Sequence, residues 1–397
     1  MDHISDALAP FIHNDSQRQW VKKALELAEV FAARAERYDR ENRFPFENFE
    51  DLRQAGFHKL TIPKAYGGDH ISLYEFVLIQ ETLAAGCAST ALGLGWHLGL
   101  LLNLRETKAW PQDKYESICK EIVEHGKWMN SCSTEPSTGS PSRGRRHETT
   151  AVKTSDGWVI NGHKTWSTLS PLLDIFLITA AIDGSDDMGE FYVPRGTPGL
   201  TVKETWDSIG MRATGSHDVL LENVVLPDDA LLSRHTYGQP SPKSKDGGGW
   251  LLHVPACYLG IAAAARHFAV SFAKHYHPKG MEQPISGIPG VRDRLGEMET
   301  KLYGARAAMY QAAARWDAQQ EERHTLRPIF GAAKLIATNQ AVEIVDLAMR
   351  IVGGRSMLRK YPLERYYRDI RGGLHNPPMD DAVRQSMATF ALNDVKD

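Results

Sequence analysis

Two short stretches of the chain combine hydroxyl, glycine and aromatic side chains in a pattern that suits a flat, oxygen-rich ligand. Residues 131–140 read SCSTEPSTGS, and residues 164–168 read KTWST. Gly139 and Ser140 would let the backbone approach a ligand closely and would offer N–H and O–H donors, while Trp166 supplies a flat apolar face. The same compositions also occur in ordinary loops between strands. These residues therefore predict a candidate ligand site, and the elements around them must show what it binds.

Composition excludes several classes of function. The 397 residues suffice for two or three domains, and 46 basic against 49 acidic residues leave a net charge of −3. This balance argues against a nucleic-acid-binding protein, which usually carries a basic face. Neither a metal site nor a disulfide framework is expected, because the cysteines are scattered without a C-x-x-C pair at Cys87, Cys119, Cys132 and Cys257.

The sequence predicts a cytoplasmic protein without a membrane segment. Its first twenty residues lack a basic segment followed by an apolar core, which a secretory signal would show. A membrane span needs roughly 18 uninterrupted apolar residues. The nearest approach, Ala91 to Leu104, is shorter and is interrupted by His97 and Asn103. We interpret it as a buried helix.

Hydrophobic periodicity predicts three domains. Residues 1–127 show the spacing of amphipathic and buried helices, and residues 237–397 show it again after a connector rich in proline, serine and glycine. Residues 128–236 instead tend to alternate apolar and polar positions, with turn signals such as Asp156-Gly157 and Asn161-Gly162. We predict an antiparallel sheet or small barrel inserted between two helical domains.

Several motifs follow one another in the order of a known family. Residues 132–140 (CSTEPSTGS) resemble a C-x-T-E-P-x-x-G-S signature, and residues 161–168 (NGHKTWST) resemble an N-G-x-K-x-W-I-T strand. Further matches are IGMR, NVVLP, VGG, YPLER and RD, at residues 209–212, 223–227, 352–354, 361–365 and 368–369. Over essentially its whole length the chain resembles the acyl-CoA dehydrogenase superfamily.

The resemblance implies a fold and a cofactor. The fold would be mainly α with an inserted β domain: an N-terminal helical domain, a middle β domain and a C-terminal four-helix bundle. The protein would be a homotetramer that binds FAD near its subunit contacts. Carried over by position, Ser133 and Thr134 would contact the pyrimidine edge of the flavin, and Trp166 and Thr168 would cover the ring and reach its N5 side.

Other family positions concern the substrate and the FAD pyrophosphate. Ser140 would lie near the phosphate-bearing arm of the substrate. Gly353 and Gly354, with Arg350 in place of a common glutamine, would approach the FAD pyrophosphate of a neighbouring subunit. The protein would mainly orient the cofactor and stabilise its charge.

The segments that carry the family's catalytic base depart from its pattern. Dehydrogenases of this family remove the substrate's α-proton with a carboxylate, often shortly after the R-D pair. Here residues 371–381 read RGGLHNPPMDD, and the second family location, residues 250–255, reads WLLHVP. Asp380 and Asp381 would either supply a displaced base or favour the N-terminus of the last helix. Oxidation of an acyl-CoA would therefore need a non-standard base.

The same segments resemble flavin-dependent monooxygenases built on this fold, including enzymes that desulfurise small organic compounds. Residues 251–253 (LLH) and 374–377 (LHNP) are similar to their L-L-H and L-H-D-P elements. In such enzymes reduced flavin, often FMN from a separate reductase, reacts with O2. The resemblance makes His375, His253, His97 and Ser167 the catalytic candidates. The histidines suit acid–base chemistry because their side chains titrate near neutral pH. A turn histidine at 375, and buried hydrogen-bonded histidines at 97 and 253, are the structural alternatives.

Three functions follow from these observations. The first, which we favour, is a flavin-dependent acyl-CoA dehydrogenase that passes electrons to a partner protein. The second is a monooxygenase of a small organic substrate, supplied by a flavin reductase. The third is a catalytically silent protein that binds flavin or an acyl thioester.

Overall fold

A computed structural model describes residues 7–139 and 144–394 of the chain. The N-terminal part contains five α-helices, at Asp15–Glu41 (α1), Phe46–Gln54 (α2), Leu73–Gly86 (α3), Ala88–Thr107 (α4) and Gln112–His125 (α5). Local sequence sets their ends. The Asn14 side chain accepts a hydrogen bond from Gln17 N at the start of α1, and Ser72 and Glu75 form a capping box at the start of α3.

Helix α4 contains the apolar run predicted to be a buried helix, and almost all of it is buried. Its glycines let it approach its neighbours closely. A Cβ atom at Gly93 would lie 2.6 Å from the Leu169 side chain of the β domain, and one at Gly95 would lie 2.5 Å from the His253 ring. Helix α4 therefore lies between the β domain and the C-terminal helices.

The middle part is one mixed sheet of eight strands, Met129–Cys132 (β1), Thr150–Thr154 (β2), Gly157–Ser167 (β3), Ile175–Ile182 (β4), Asp187–Pro194 (β5), Leu200–Lys203 (β6), His217–Leu226 (β7) and Leu231–Thr236 (β8). The strand order is β6-β7-β3-β2-β4-β5-β8, with β1 also paired to β4. The prediction of an antiparallel sheet was wrong in part, since β1 and β2 both run parallel to β4. Alternation and turn residues indicate strands but do not determine which distant strand each one joins.

The C-terminal part contains helices His253–His275 (α6), Pro289–Ala318 (α7), Arg327–Val352 (α8), Leu363–Asp369 (α9) and Asp380–Asp394 (α10). The four long helices fit the expected bundle. Helix α6 is its centre, and Gly260 lets it meet α3, because a Cβ atom there would overlap the Glu81 carbonyl oxygen. The stretch Gly249–His275 is long and apolar enough to cross a membrane, but 67% of its most apolar window is buried inside the protein. It is the core helix of the bundle.

Candidate active site

The two hydroxyl-rich stretches meet at the ends of strands β1 and β3. Thr165 N donates to the Thr134 carbonyl oxygen at 2.9 Å, and the Asn130 side chain donates to the Thr168 carbonyl oxygen at 3.0 Å. The Ser133 hydroxyl lies 2.9 Å from the Thr179 hydroxyl. The predicted cofactor-binding residues at these positions therefore share one site, here called the cradle and comprising residues 131–134 and 166–168.

Trp166 projects from the cradle towards solvent. Its side chain is 60% exposed, and its backbone has φ 57° where the pairing of β3 with β7 shifts between Lys164 and Ser167. A β-bulge can re-aim a side chain in this way, and a positive φ is uncommon for a large residue. Trp206 packs edge-on against it, with ring centroids 5.0 Å apart. The fold thus presents a flat aromatic face that protein atoms leave open.

The remaining cradle hydroxyls differ in their partners. Thr168 pairs with Ser216 at 2.9 Å. Ser167 is 1% exposed, and its hydroxyl has no well-formed hydrogen bond among the described residues. Burial raises the pKa of the neighbouring Cys132 thiol to about 11, and Ser167 opposes that shift. An open indole face bordered by hydroxyls suits a flavin ring, whose edge offers donors and acceptors and whose face is apolar.

A buried ion pair holds the two halves of the cradle together. The Glu135 carboxylate accepts hydrogen bonds from Lys164 Nζ at 2.7 Å, from Thr149 N at 3.0 Å and from Glu148 N at 2.7 Å. Burial alone would raise the pKa of Glu135, but the His147 hydrogen bond and the Lys164 charge outweigh it and hold that pKa well below its usual range. Sequence analysis did not predict this pair, because Glu135 and Lys164 are 29 positions apart in two separate polar stretches.

His97 has no free ring nitrogen. Its Nε2 atom lies 2.8 Å from the His58 carbonyl oxygen, and Met129 N donates to its Nδ1 atom at 3.1 Å. The side chain is fully buried, and burial lowers its pKa to about 4. Both nitrogens are occupied by backbone groups, which tie helix α4 to the first residue of β1 and to the segment between α2 and α3, so neither nitrogen is free for the predicted catalytic role of His97. The buried, hydrogen-bonded alternative describes it.

His253 is buried in an aromatic cluster and keeps one nitrogen free. Its Nδ1 atom lies 2.8 Å from the Trp250 carbonyl oxygen, which fixes the proton on Nδ1, whereas the buried Nε2 atom has no partner among the described residues. The Phe76, Trp96 and Trp250 rings surround the imidazole, with centroids 4.8 to 6.0 Å away. Burial lowers the pKa of His253 to about 4, so its Nε2 atom carries a lone pair at neutral pH.

His375 lies in the short segment between α9 and α10, and its side chain is exposed. The nearby carboxylates that sequence suggested as a displaced base have other partners. Asp380 lies 3.3 Å from Lys334 Nζ and accepts from Asn339 at 2.8 Å, and Asp381 accepts from Ala382 N at the start of α10. Asp381 therefore acts at the N-terminus of the last helix, whereas Asp380 ties the start of that helix to α8.

One loop connects the cradle with the segment that carries His375. Trp206 Nε1 donates to the Met211 carbonyl oxygen at 3.1 Å, and Met211 N donates to the buried Asp369 carboxylate at 2.5 Å. A Cβ atom at Gly372 would lie 3.2 Å from the Met211 side chain. Trp206 and Met211 were not among the predicted site residues, because their role depends on contacts with distant parts of the chain.

The remaining predicted residues lie apart from the cradle. Gly353 and Gly354 are exposed after helix α8, and a Cβ atom on either would meet nothing within 4 Å. Arg350 is exposed and pairs with Asp346 at 2.6 Å. Ser140 lies outside the described residues. Among residues 7–139 and 144–394, no group of three or more His, Cys, Asp or Glu side chains could hold a metal ion.

Comparison with known proteins assigns the chain to a family. Models of the N-terminal, middle and C-terminal domains of acyl-CoA dehydrogenase match residues 14–107, 130–224 and 252–373. YdbM of Bacillus subtilis, which carries a provisional acyl-CoA dehydrogenase name, is 46% identical over 96% of this chain and 99% of its own length.

Solved structures agree on the fold. KijD3, determined with FMN and a dTDP-linked amino-keto sugar, is 26% identical, with a TM-score of 0.85 over 97% of this chain and 96% of its own. Butyryl-CoA dehydrogenase of Megasphaera elsdenii is 23% identical, with a TM-score of 0.86 over 96% of this chain and 99% of its own. The three domain matches, the YdbM relative and the shared fold together show that the chain belongs to the acyl-CoA dehydrogenase family of flavin oxidoreductases.

Proposed function

We propose that the protein oxidises an acyl-CoA thioester at its α and β carbons, with FAD in the cradle and His253 as the catalytic base. The observation that carries the proposal is the free Nε2 atom of His253. His253 also lies within residues 250–255, one of the two segments in which the family resemblance locates a base. Of the three predicted histidines, it alone combines full burial with an unpartnered ring nitrogen.

The surroundings of His253 suit proton abstraction from a weak carbon acid. The Trp250 carbonyl oxygen fixes the tautomer, so the lone pair is on the nitrogen that has no partner. Trp96 and Trp250, which flank the imidazole, are only partly buried, whereas His253 itself is fully buried. When negative charge develops on a nearby thioester, it favours the charged imidazolium and raises the pKa of the histidine. The low pKa of the free protein therefore keeps the base unprotonated until substrate binds.

The proposed reaction removes a proton and a hydride from neighbouring carbons of the acyl chain. His253 takes the α-proton, the β-carbon loses a hydride, and a double bond forms between the two carbons. A flavin held by the cradle would accept this hydride, and its two electrons would then leave to an electron-transfer partner or another oxidant. The chain's own contributions are Trp166, which offers an aromatic face to the ring, and the cradle hydroxyls, which orient its edge.

Anaerobic reduction of the flavin tests this proposal. The purified protein is analysed for its bound flavin and then mixed, without oxygen, with acyl-CoAs of different chain length and branching. We expect loss of the oxidised-flavin absorbance with at least one acyl-CoA, together with a 2-enoyl product. A panel that leaves the flavin oxidised throughout would contradict dehydrogenation.

A monooxygenase is the second candidate, because described residues 371–379 contain no carboxylate and present an exposed histidine instead. The fold neighbour KijD3 was solved with FMN, which is consistent with this reading. It predicts that externally reduced FMN supports O2-dependent oxygenation of a small organic substrate, while acyl-CoAs leave the flavin oxidised. Absence of both activities would favour a silent flavin- or thioester-binding protein.

We also propose that the protein acts as a cytoplasmic homotetramer in which Arg350, Gly353 and Gly354 approach the FAD of a neighbouring subunit. Exposed apolar side chains on the C-terminal helices support association, since large apolar residues are costly to leave in water. They are Tyr303, Ile336, Phe390 and Leu392. Light scattering of the flavin-loaded protein tests this, and a monomeric mass would contradict it.

A further inference from the structure

Tyr258 places a buried hydroxyl against the segment that carries His375. It lies on helix α6 with 1% of its surface exposed, and its hydroxyl donates to Asn376 Oδ1 at 2.6 Å. The same hydroxyl lies close to Gly372, where a Cβ atom would be only 2.6 Å away. One polar atom of the bundle core thus touches both ends of the segment 372–376.

Backbone hydrogen bonds make this segment a compact turn. His375 N donates to the Gly372 carbonyl oxygen at 3.0 Å, and Asn376 N approaches the same oxygen at 3.2 Å. The side chain of His375 is exposed, so its own contacts do little to orient it. Its position therefore depends on how firmly the two ends of the turn are held.

The turn is also wedged between other elements. A Cβ atom at Gly373 would lie 2.9 Å from the Tyr258 ring and 3.2 Å from the Thr338 side chain of α8. On another side, Gly372 lies against Met211, whose carbonyl oxygen accepts the Trp206 indole N–H. Because Trp206 also packs on Trp166, a chain of contacts runs from the turn through Met211 and Trp206 to the cradle.

We infer that Tyr258 is a positioning residue: its hydroxyl fixes the 372–376 turn, and through that turn it places His375 and the Met211–Trp206 support of the cradle. Removing the hydroxyl would leave Asn376 Oδ1 without its donor and would loosen the turn, while the ring keeps its packing. The catalytic consequence rests on the proposed function, whereas the structural consequence does not.

Hydrogen exchange of the flavin-loaded protein tests the structural part. Tyr258→Phe is compared with Tyr310→Phe, a matched control that removes another buried hydroxyl, which donates to Glu81 at 2.7 Å. The hydrogen bond has a buried donor and a partly buried acceptor, and losing a bond of about 1 kcal/mol or slightly more weakens local protection by up to about tenfold. We expect the exchange rates of the His375 and Asn376 amides to rise by this factor in Tyr258→Phe and to stay at the wild-type value in Tyr310→Phe. Equal protection of these amides in wild type and Tyr258→Phe, or equal loss in both variants, would overturn the inference.

Flavin reduction by an acyl-CoA tests the catalytic part. In Tyr258→Phe we expect the reduction rate at saturating acyl-CoA to fall by about tenfold, with the substrate Kd within about twofold of wild type. Asn376→Asp keeps an acceptor for Tyr258 and should retain protection of the turn. If wild-type flavin is not reduced by any acyl-CoA, the proposed dehydrogenation fails and hydrogen exchange alone decides the positioning role. Unchanged reduction in Tyr258→Phe, where wild type is active, would contradict that role.

Discussion

Replacing Glu135 by glutamine should strongly destabilise the protein, because it breaks the buried pair beneath the cradle. Glu135 is 2% exposed and Lys164 is fully buried, so the substitution leaves a buried ammonium group without its counter-charge. One amide oxygen must also replace two carboxylate oxygens, which together accept from Lys164, Thr149, Glu148 and Thr138. Removing one partner of a buried pair typically costs about 3–5 kcal/mol.

Denaturant unfolding at neutral pH measures this loss, and the double variant Glu135→Gln/Lys164→Met is the control. Replacing both charges removes the unpaired ammonium, so the double variant should be less destabilised than Glu135→Gln alone. The contribution of Glu135 to the free energy of unfolding should decrease at acidic pH. The pKa of Glu135 is lower in the folded protein than its ordinary value of 4.5, so its contribution is present above that pH and is lost as the pH falls further. If Glu135→Gln lowers the free energy of unfolding by less than about 1 kcal/mol, or if the single and double variants are equally stable, the buried pair does not stabilise the fold in this way.

Three other substitutions separate roles within the site. Trp166→Ala should weaken flavin binding by about tenfold or more with little loss of stability, because the exposed indole packs on little besides Trp206. Equilibrium dialysis measures the Kd, and an unchanged Kd would contradict flavin binding at the cradle. His97→Ala should lower the free energy of unfolding by about 3 kcal/mol, since it opens a buried space and leaves two backbone groups unpaired. The rate of flavin reduction in the folded fraction should stay within about twofold of wild type. A hundredfold loss of that rate would mean that His97 is catalytic. Burial raises the pKa of Asp369 to about 6, so its contribution to stability is present below its unfolded pKa and is lost as the pH rises through about 6. Asp369→Asn should remove this loss from the pH dependence of the free energy of unfolding. If the variant and the wild type show the same pH dependence, another group is responsible for it.

The cradle was predictable because its signals are local. Hydroxyl, glycine and tryptophan residues stand within two short stretches at the ends of strands, and the structure brings those stretches together. Helix positions were predictable for the same reason, since periodicity and caps such as Ser72 lie within a few residues of each helix end.

Features that depend on distant contacts were not predictable from one sequence. His97 and His253 both follow apolar residues, and only the structure shows that backbone groups occupy both nitrogens of the first and one nitrogen of the second. The bond between Tyr258 and Asn376 joins residues 118 positions apart. The parallel pairing of β1 with β4 likewise joins strands that are separated in the sequence by two others, β2 and β3.

Deuterium incorporation at the α-carbon of an acyl-CoA tests the assignment of His253 as the base. The flavin-loaded protein is incubated in D2O with an acyl-CoA that reduces its flavin, and recovered thioester is analysed by mass spectrometry. We expect wild type and His375→Gln to incorporate deuterium, and His253→Gln to do so about 10²- to 10⁴-fold more slowly, the usual contribution of a general base. Incorporation by His253→Gln at the wild-type rate would show that another group removes the α-proton.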